Sequence, residues 1–194
     1  MFFENIYSRR YKMKIVFCRH TETEFNAQKI YTGHIDIPIN QRGVEQAENL
    51  AKNLSSLKFS AVFCSDLLRA IQTAKILAAR HRLIPKIDSR LREVCLGAIE
   101  GMIKQEAKKL YPEEHFSTKS VNFDFSAIGG ESRTMVIRRH QDCFAEIFNK
   151  CGPDSMVLVV GHGTALRVFL EFIGMECILE QGNYQVIDFC PASN

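Results

Sequence analysis

The sequence has no tryptophan, only five prolines, and no apolar run near the roughly 20 residues that a bilayer-spanning helix needs. No cysteine pair has CxxC spacing. The seven, at positions 18, 64, 95, 143, 151, 177 and 190, are odd in number and lie mostly inside apolar runs. A disulfide scaffold is unnecessary at this length, and no His or Cys cluster has the spacing of metal ligands, so no metal site is expected. The thiols read as small buried hydrophobes in a reducing compartment, which predicts a cytoplasmic protein. Charge of one sign is scarce as well. Lysine and arginine total 25 against 22 acids, for a net +3 over 194 residues, which offers little footing to a nucleic-acid or polybasic membrane binder. The opening MFFENIYSRRYKMK lacks the charged, apolar and cleavage-site order of a secretory signal. Residues 1–13 are expected to form a loosely ordered extension, with a weak surface-anchoring arm as the lesser reading of its Arg9, Arg10 and tyrosines.

What is present is enough apolar content, 46 %, to build a core in one domain over 14–194. Lys14–Arg19 and Met156–Val160 are continuously apolar rather than alternating, as expected of parallel strands covered on both faces. Between them, Val44, Ala47, Leu50, Ala51, Leu54 and Leu57 recur at helical spacing. Phe59–Cys64 reads as a short strand, followed by a helix capped by Ser65 and carrying Leu68, Ile71 and Ala74. Pro85 leaves room for a short edge strand at most. Lys104–Leu110 resembles one or two helical turns, and 102–130 reads as a lid region. A helix over 131–149 presents Val136, His140, Cys143, Phe144 and Ile147 on its inner stripe. A further helix over 164–173 and a strand at Tyr184–Phe189 complete the chain. Alternating strands and helices predict an α/β fold, three layers (α/β/α) around a central, mostly parallel sheet.

In such sheets ligands gather at the carboxyl ends of strands, where helix N-termini present free N–H groups. His20 and His162 stand at two such ends, with Arg19 before the first. Arg69 falls early in the helix after a third strand, and its planar fork suits two oxygens of a phosphate. Glu93 and Glu100 are anonymous carboxylates by position alone.

These residues carry a family resemblance. Arg19-His20-Thr21-Glu22-Thr23 resembles the signature of the histidine phosphatase superfamily, with its phosphoglycerate-mutase-like fold. The likeness continues through Asn26, Gly33, Ser65-Asp66-Leu67-Leu68-Arg69-Ala70, Leu91-Arg92-Glu93, Gly97, Glu100-Gly101, Gly129-Gly130-Glu131-Ser132 and Gly161-His162-Gly163. It spans roughly residues 14–190 in the family's order.

The resemblance implies that His20 is a nucleophile that becomes phosphorylated. It implies that Arg19, Arg69 and His162 hold phosphoryl oxygens, and that Glu93 is the general acid toward the leaving alkoxide. Asn26, Thr21, Gly33 and Gly163 would be further phosphate or substrate contacts, and no metal or organic cofactor is implied. Thr21 replaces the family's usual glycine, so the turn there must tolerate a branched side chain. A small phosphorylated metabolite is the expected partner, with monomer and homodimer both open. About 28 residues separate Gly101 from Gly129, which suggests an open pocket and water as phosphoryl acceptor. The favoured expectation is a metal-independent phosphomonoesterase, of broad specificity or acting on α-ribazole phosphate. A phosphoglycerate mutase and a non-catalytic phospho-ligand binder are the competitors. Rings in Phe116–Phe125 would overhang the pocket and suit a leaving group with apolar surface, or would simply anchor the loop.

Overall fold

The computed structural model describes residues 12–113, 116–177 and 179–191. The extension expected over 1–13 lies outside them, apart from Lys12 and Met13. In chain order the elements are β1 (Met13–Arg19), α1 (Glu24–Ala27), α2 (Gln41–Asn53), β2 (Ala61–Cys64), α3 (Leu68–Ala79), β3 (Lys86–Ile87), α4 (Lys104–Leu110), α5 (Arg133–Cys151), β4 (Met156–Gly161), α6 (Gly163–Phe172) and β5 (Tyr184–Phe189). The strands form one sheet in the order β3-β2-β4-β1-β5. Every pairing is parallel except that of β5 with β1.

The unbroken apolar run of β1 follows from burial on both faces. Met13, Ile15 and Phe17 enter one cluster with Phe144 and Ile147 of α5 and Phe169 of α6. Val16 and Cys18 enter another with Leu50 and Ala51 of α2 and Ala74 and Leu77 of α3. Helices therefore cover both sides of the sheet, giving the three-layer arrangement. Phe17 meets Phe144 edge-on at 5.3 Å between centroids, and Phe144 stacks on Phe169 at 4.4 Å. Each buried ring contributes about 1.5–3 kcal/mol from area alone. The stripe read from the sequence of α5, including His140, is buried throughout.

Helix starts follow side-chain chemistry, once from far away in sequence. Asn40 caps α2 by accepting from the Gly43 N–H at 2.8 Å. Ser65 does not cap α3. That helix begins at Leu68, whose N–H donates to Asp36 Oδ1 at 2.6 Å, while the Ser65 hydroxyl accepts from Leu67. A loop some 30 residues earlier supplies the cap, and local reading has no access to it. The short α1 was also not foreseen. It closes a capping box between Thr23 and Asn26, with Asn in the place usually signalled by Glu or Gln.

Within the expected lid region the phenylalanines divide. Phe123 and Phe125 are buried in a third cluster with Val94, Leu96, Val136, Ala165 and Val168. They anchor the segment instead of overhanging the pocket. Phe116 is only partly buried and stands at its edge.

Register levels the strand ends. Arg19 pairs with Gly161, and Cys64 with Val160, so β1, β4 and β2 finish at one edge of the sheet. The His20 N–H extends the ladder to the Gly161 carbonyl at 2.9 Å. The residues just beyond these strands are thereby delivered to the same place.

Candidate active site

That register brings the two histidines together. The His20 and His162 rings lie 5.1 Å apart between centroids, and both are buried. His20 Nδ1 is 2.8 Å from the Thr21 carbonyl. A carbonyl can only accept, so Nδ1 carries the proton and Nε2 keeps its lone pair. Burial pushes the His20 imidazole well below its ordinary value, and the charges of Arg69 and Arg19 push it the same way against the Thr21 carbonyl. His162 is lowered too, by burial first and then by Arg69 and His20. Near neutrality the site holds neutral imidazole, the nucleophilic form.

Arg69 is 1 % exposed. Its terminal nitrogens donate to the Gly33 and Ile35 carbonyls at 2.7 and 2.9 Å. Burial pushes its guanidinium down to about 10, opposed by Glu93, Asp36 and Glu100. Arg19 is lowered by burial as well, and Glu93 opposes it. Among the described residues, Nε of Arg19, Nε of Arg69 and both ring nitrogens of His162 are buried without a partner. Buried donors left unpaired are costly, and an anion with several acceptor oxygens would satisfy a group of them together.

Glu93 reaches the same place from a different segment. Its Oε1 accepts from the N–H groups of Val94 and Ala165, at 3.0 and 2.8 Å, and its Oε2 from Thr164 at 3.2 Å. The carboxylate thus supplies the cap that His162, heading α6, does not. Its main chain is gripped from two sides. His34 Nε2 donates to the Glu93 carbonyl at 2.8 Å and Arg139 at 3.0 Å. Arg139 also donates to the carbonyls of Arg90 and Arg92 and pairs with Glu131 at 2.8 Å. Glu131 in turn accepts from the Cys95 N–H. One guanidinium organises the whole turn that presents Glu93.

A small cavity of about 80 Å³ is lined by Arg19, His20, Asn26, Gly33, Arg69 and Glu93 of the expected residues. Gly33 is required there: its φ is +50°, and a Cβ would stand 2.0 Å from Glu100 Oε1. Asn26 Oδ1 is committed to the cap of α1 and to Gln181 Nε2 at 2.6 Å. His162, Gly163 and Thr21 lie off the cavity wall. His162 packs against the His20 ring, and Gly163 packs so close to Arg19 that a Cβ would be 2.9 Å from its Nε. Thr21 is fully buried, and its backbone avoids positive φ, so a branched residue fits without strain. Thr73 donates its only hydroxyl proton to the Arg69 carbonyl at 2.8 Å, so the Thr21 hydroxyl must be the donor in their 3.2 Å bond. This pair ties the His20 turn to the helix of Arg69.

Sequence reasoning missed His34, Arg139 and Lys104. His34 and Arg139 touch Glu93 only through its backbone, and no pattern in residue type reports such a bond. Lys104 lines the cavity mouth from α4, where it reads as a solvated helix charge.

A mostly parallel sheet with a buried histidine pair and two arginines near its carboxyl edge defines an α/β protein with a compact cationic site. The chain belongs to the histidine phosphatase superfamily (branch 1), whose family model matches residues 15–182. It is 38 % identical over 162 residues to phosphoglycerate mutase-like protein 4 of Arabidopsis thaliana, covering 81 % of this chain and 70 % of that one. A broad-specificity phosphatase of Saccharomyces cerevisiae is 33 % identical over 171 residues, covering 84 % and 71 %. Among solved structures, a mycobacterial glucosyl-3-phosphoglycerate phosphatase complexed with VO3 superposes with a TM-score of 0.79. That match is 25 % identical and covers 89 % of this chain and 90 % of the other.

Proposed function

We propose that this protein is a metal-independent phosphomonoesterase that hydrolyses small phosphorylated metabolites through a phosphohistidine on His20. The observation that carries the reading is the Nδ1 bond of His20 to the Thr21 carbonyl, which leaves Nε2 free for phosphorus beside Arg19 and Arg69.

His20 Nε2 attacks the phosphorus as the P–O bond to the alcohol breaks. Arg19 and Arg69 carry the charge of the transferring group, and His162, packed against the His20 ring with both ring nitrogens unpartnered, offers a donor to one of its oxygens once phosphate is bound. Glu93 serves as the general acid that gives a proton to the departing alkoxide. Water then attacks the phosphohistidine, Glu93 takes a proton back, and inorganic phosphate leaves with His20 neutral again. Asn26 keeps Nδ2 available to an oxygen at the rim, while Thr21, Gly33 and Gly163 serve by shaping the turns around the nucleophile and the arginines. The short span from Gly101 to Gly129 supports water as acceptor over a retained sugar phosphate. Seven free thiols support a reducing, cytoplasmic setting.

Hydrolysis of p-nitrophenyl phosphate in excess chelator tests the reading. Wild type is expected to keep full activity, and His20→Ala to lose about 1,000-fold or more. Activity that requires a divalent ion, or that survives the substitution, overturns it. Interconversion of 3- and 2-phosphoglycerate with little release of phosphate would make the chain a mutase instead.

A further inference from the structure

Beyond the phosphate cavity a larger cleft of about 530 Å³ opens along α4 and the segment after it. The two spaces share Tyr31, Lys104 and Thr118 as a common wall, so the cleft adjoins the cavity that Glu93 also lines. Its other walls are of two kinds. Tyr31, Tyr111 and Phe116 supply aromatic surface, with Tyr111 and Phe116 meeting edge-on at 5.6 Å between centroids. Lys104, Lys108 and Lys119 supply charge, against the single acid Glu113.

Two features make those lysines more than ordinary surface charges. None of the three takes part in an ion pair among the described residues, where nine other pairs form. Lys104 and Lys108 also stand four residues apart on one helix face, a like-charge spacing that weakens a helix. Lys104 Nζ lies 5.5 Å over the Tyr31 ring, which holds the ammonium at the junction of the two spaces. Burial lowers the Lys104 ammonium, and the charges of Arg19 and Lys119 add to this while Glu93 opposes it.

We infer that this cleft receives the leaving group, and that the preferred substrates are phosphomonoesters of an alcohol bearing both a flat apolar ring and a second anionic group. The inference rests on the phosphatase reading and specifies its substrate class. A ring would lie against Tyr31, Tyr111 and Phe116, and a carboxylate or second phosphate would meet the lysines at the rim.

The test compares kcat/KM for 3-carboxyphenyl phosphate with that for 3-carbamoylphenyl phosphate, which matches it in shape and lacks the charge, and with 3-phosphoglycerate, which has the charge and lacks the ring. The carboxyphenyl ester is expected to lead the carbamoyl ester by about tenfold at low salt, from two or three exposed charge contacts of up to about fivefold each. That lead shrinks in 0.5 M salt and falls to about twofold in the Lys108→Gln/Lys119→Gln variant. Equal rates for the two aryl esters, or a lead unmoved by salt and by the variant, overturn the anionic requirement. Faster turnover of 3-phosphoglycerate than of the carboxyphenyl ester overturns the ring requirement. Hydrolysis of none of the three would instead strike at the phosphatase reading itself.

Discussion

Replacing Arg139 by methionine should separate the support of Glu93 from its chemistry. The side chain of Arg139 is 16 % exposed and that of its partner Glu131 is 14 % exposed, so the pair is largely withdrawn from water. Removing the guanidinium leaves a nearly buried carboxylate without its counter-charge and takes a donor from the carbonyls of Arg90, Arg92 and Glu93. Breaking one half of such a pair costs about 3–5 kcal/mol, and the low end applies here because Glu131 keeps the Cys95 N–H. For a chain of this size a loss of about 3 kcal/mol lowers the melting temperature by roughly 6–12 °C. Below that temperature the Glu93 carbonyl retains only His34, and the acid drifts from the leaving oxygen. An alkyl phosphate, which needs protonation of its leaving group, should lose about tenfold in kcat, and p-nitrophenyl phosphate much less. Arg139→Lys should rescue little, because one ammonium cannot serve the carbonyls and the carboxylate together. Calorimetry and the paired assays check both effects. A melting shift under about 2 °C, or equal kinetic losses on both esters, would refute the positioning role.

Two further outcomes are expected from buried groups. Thr21→Gly restores the residue usual in the family but deletes the hydroxyl that donates to Thr73; it is expected to cost about 1–2 kcal/mol in denaturant titrations without raising kcat. A faster enzyme of unchanged stability would contradict the fit described for that turn. His140 is fully buried against the stacked Phe144 and Phe169 rings, near Arg139, Asp88 and the Val136 carbonyl, and burial pushes its imidazole down to about 3. The folded value is below the unfolded one of about 6.5, so its contribution is present above pH 6.5 and is lost as the pH falls toward 3. Between pH 7 and pH 5 that loss is about 2 kcal/mol, and His140→Leu should remove it, flattening stability against pH by one proton. An unchanged slope would show that His140 titrates normally.

Periodicity made most of the fold legible. The double-sided burial of β1 shows as an unbroken apolar run and the inner stripe of α5 as a helical repeat, and short windows of sequence preserve both. The site was legible at His20, His162, Arg19 and Arg69 because strand ends are where the sheet must present its ligands, and the family motifs located Glu93. Groups that act through the backbone were not legible. Asp36 caps α3 from another loop, His34 and Arg139 hold one carbonyl of Glu93, and Thr21 joins Thr73 across 52 residues. Each is a tertiary hydrogen bond set by the approach of two elements, and no spacing rule encodes it. The lid region showed the opposite limit. Phe116, Phe123 and Phe125 are chemically alike, and only packing decides that two of them anchor while one borders the cleft.

The most direct measurement of the central claim is capture of the covalent enzyme. Mixing wild type with substrate for milliseconds, quenching in base and mapping the phosphate by mass spectrometry should place it on His20 at close to one per chain, with none on the His20→Ala variant. Phosphate on any other residue, or turnover with no phosphorylated chain at any time, would contradict the account.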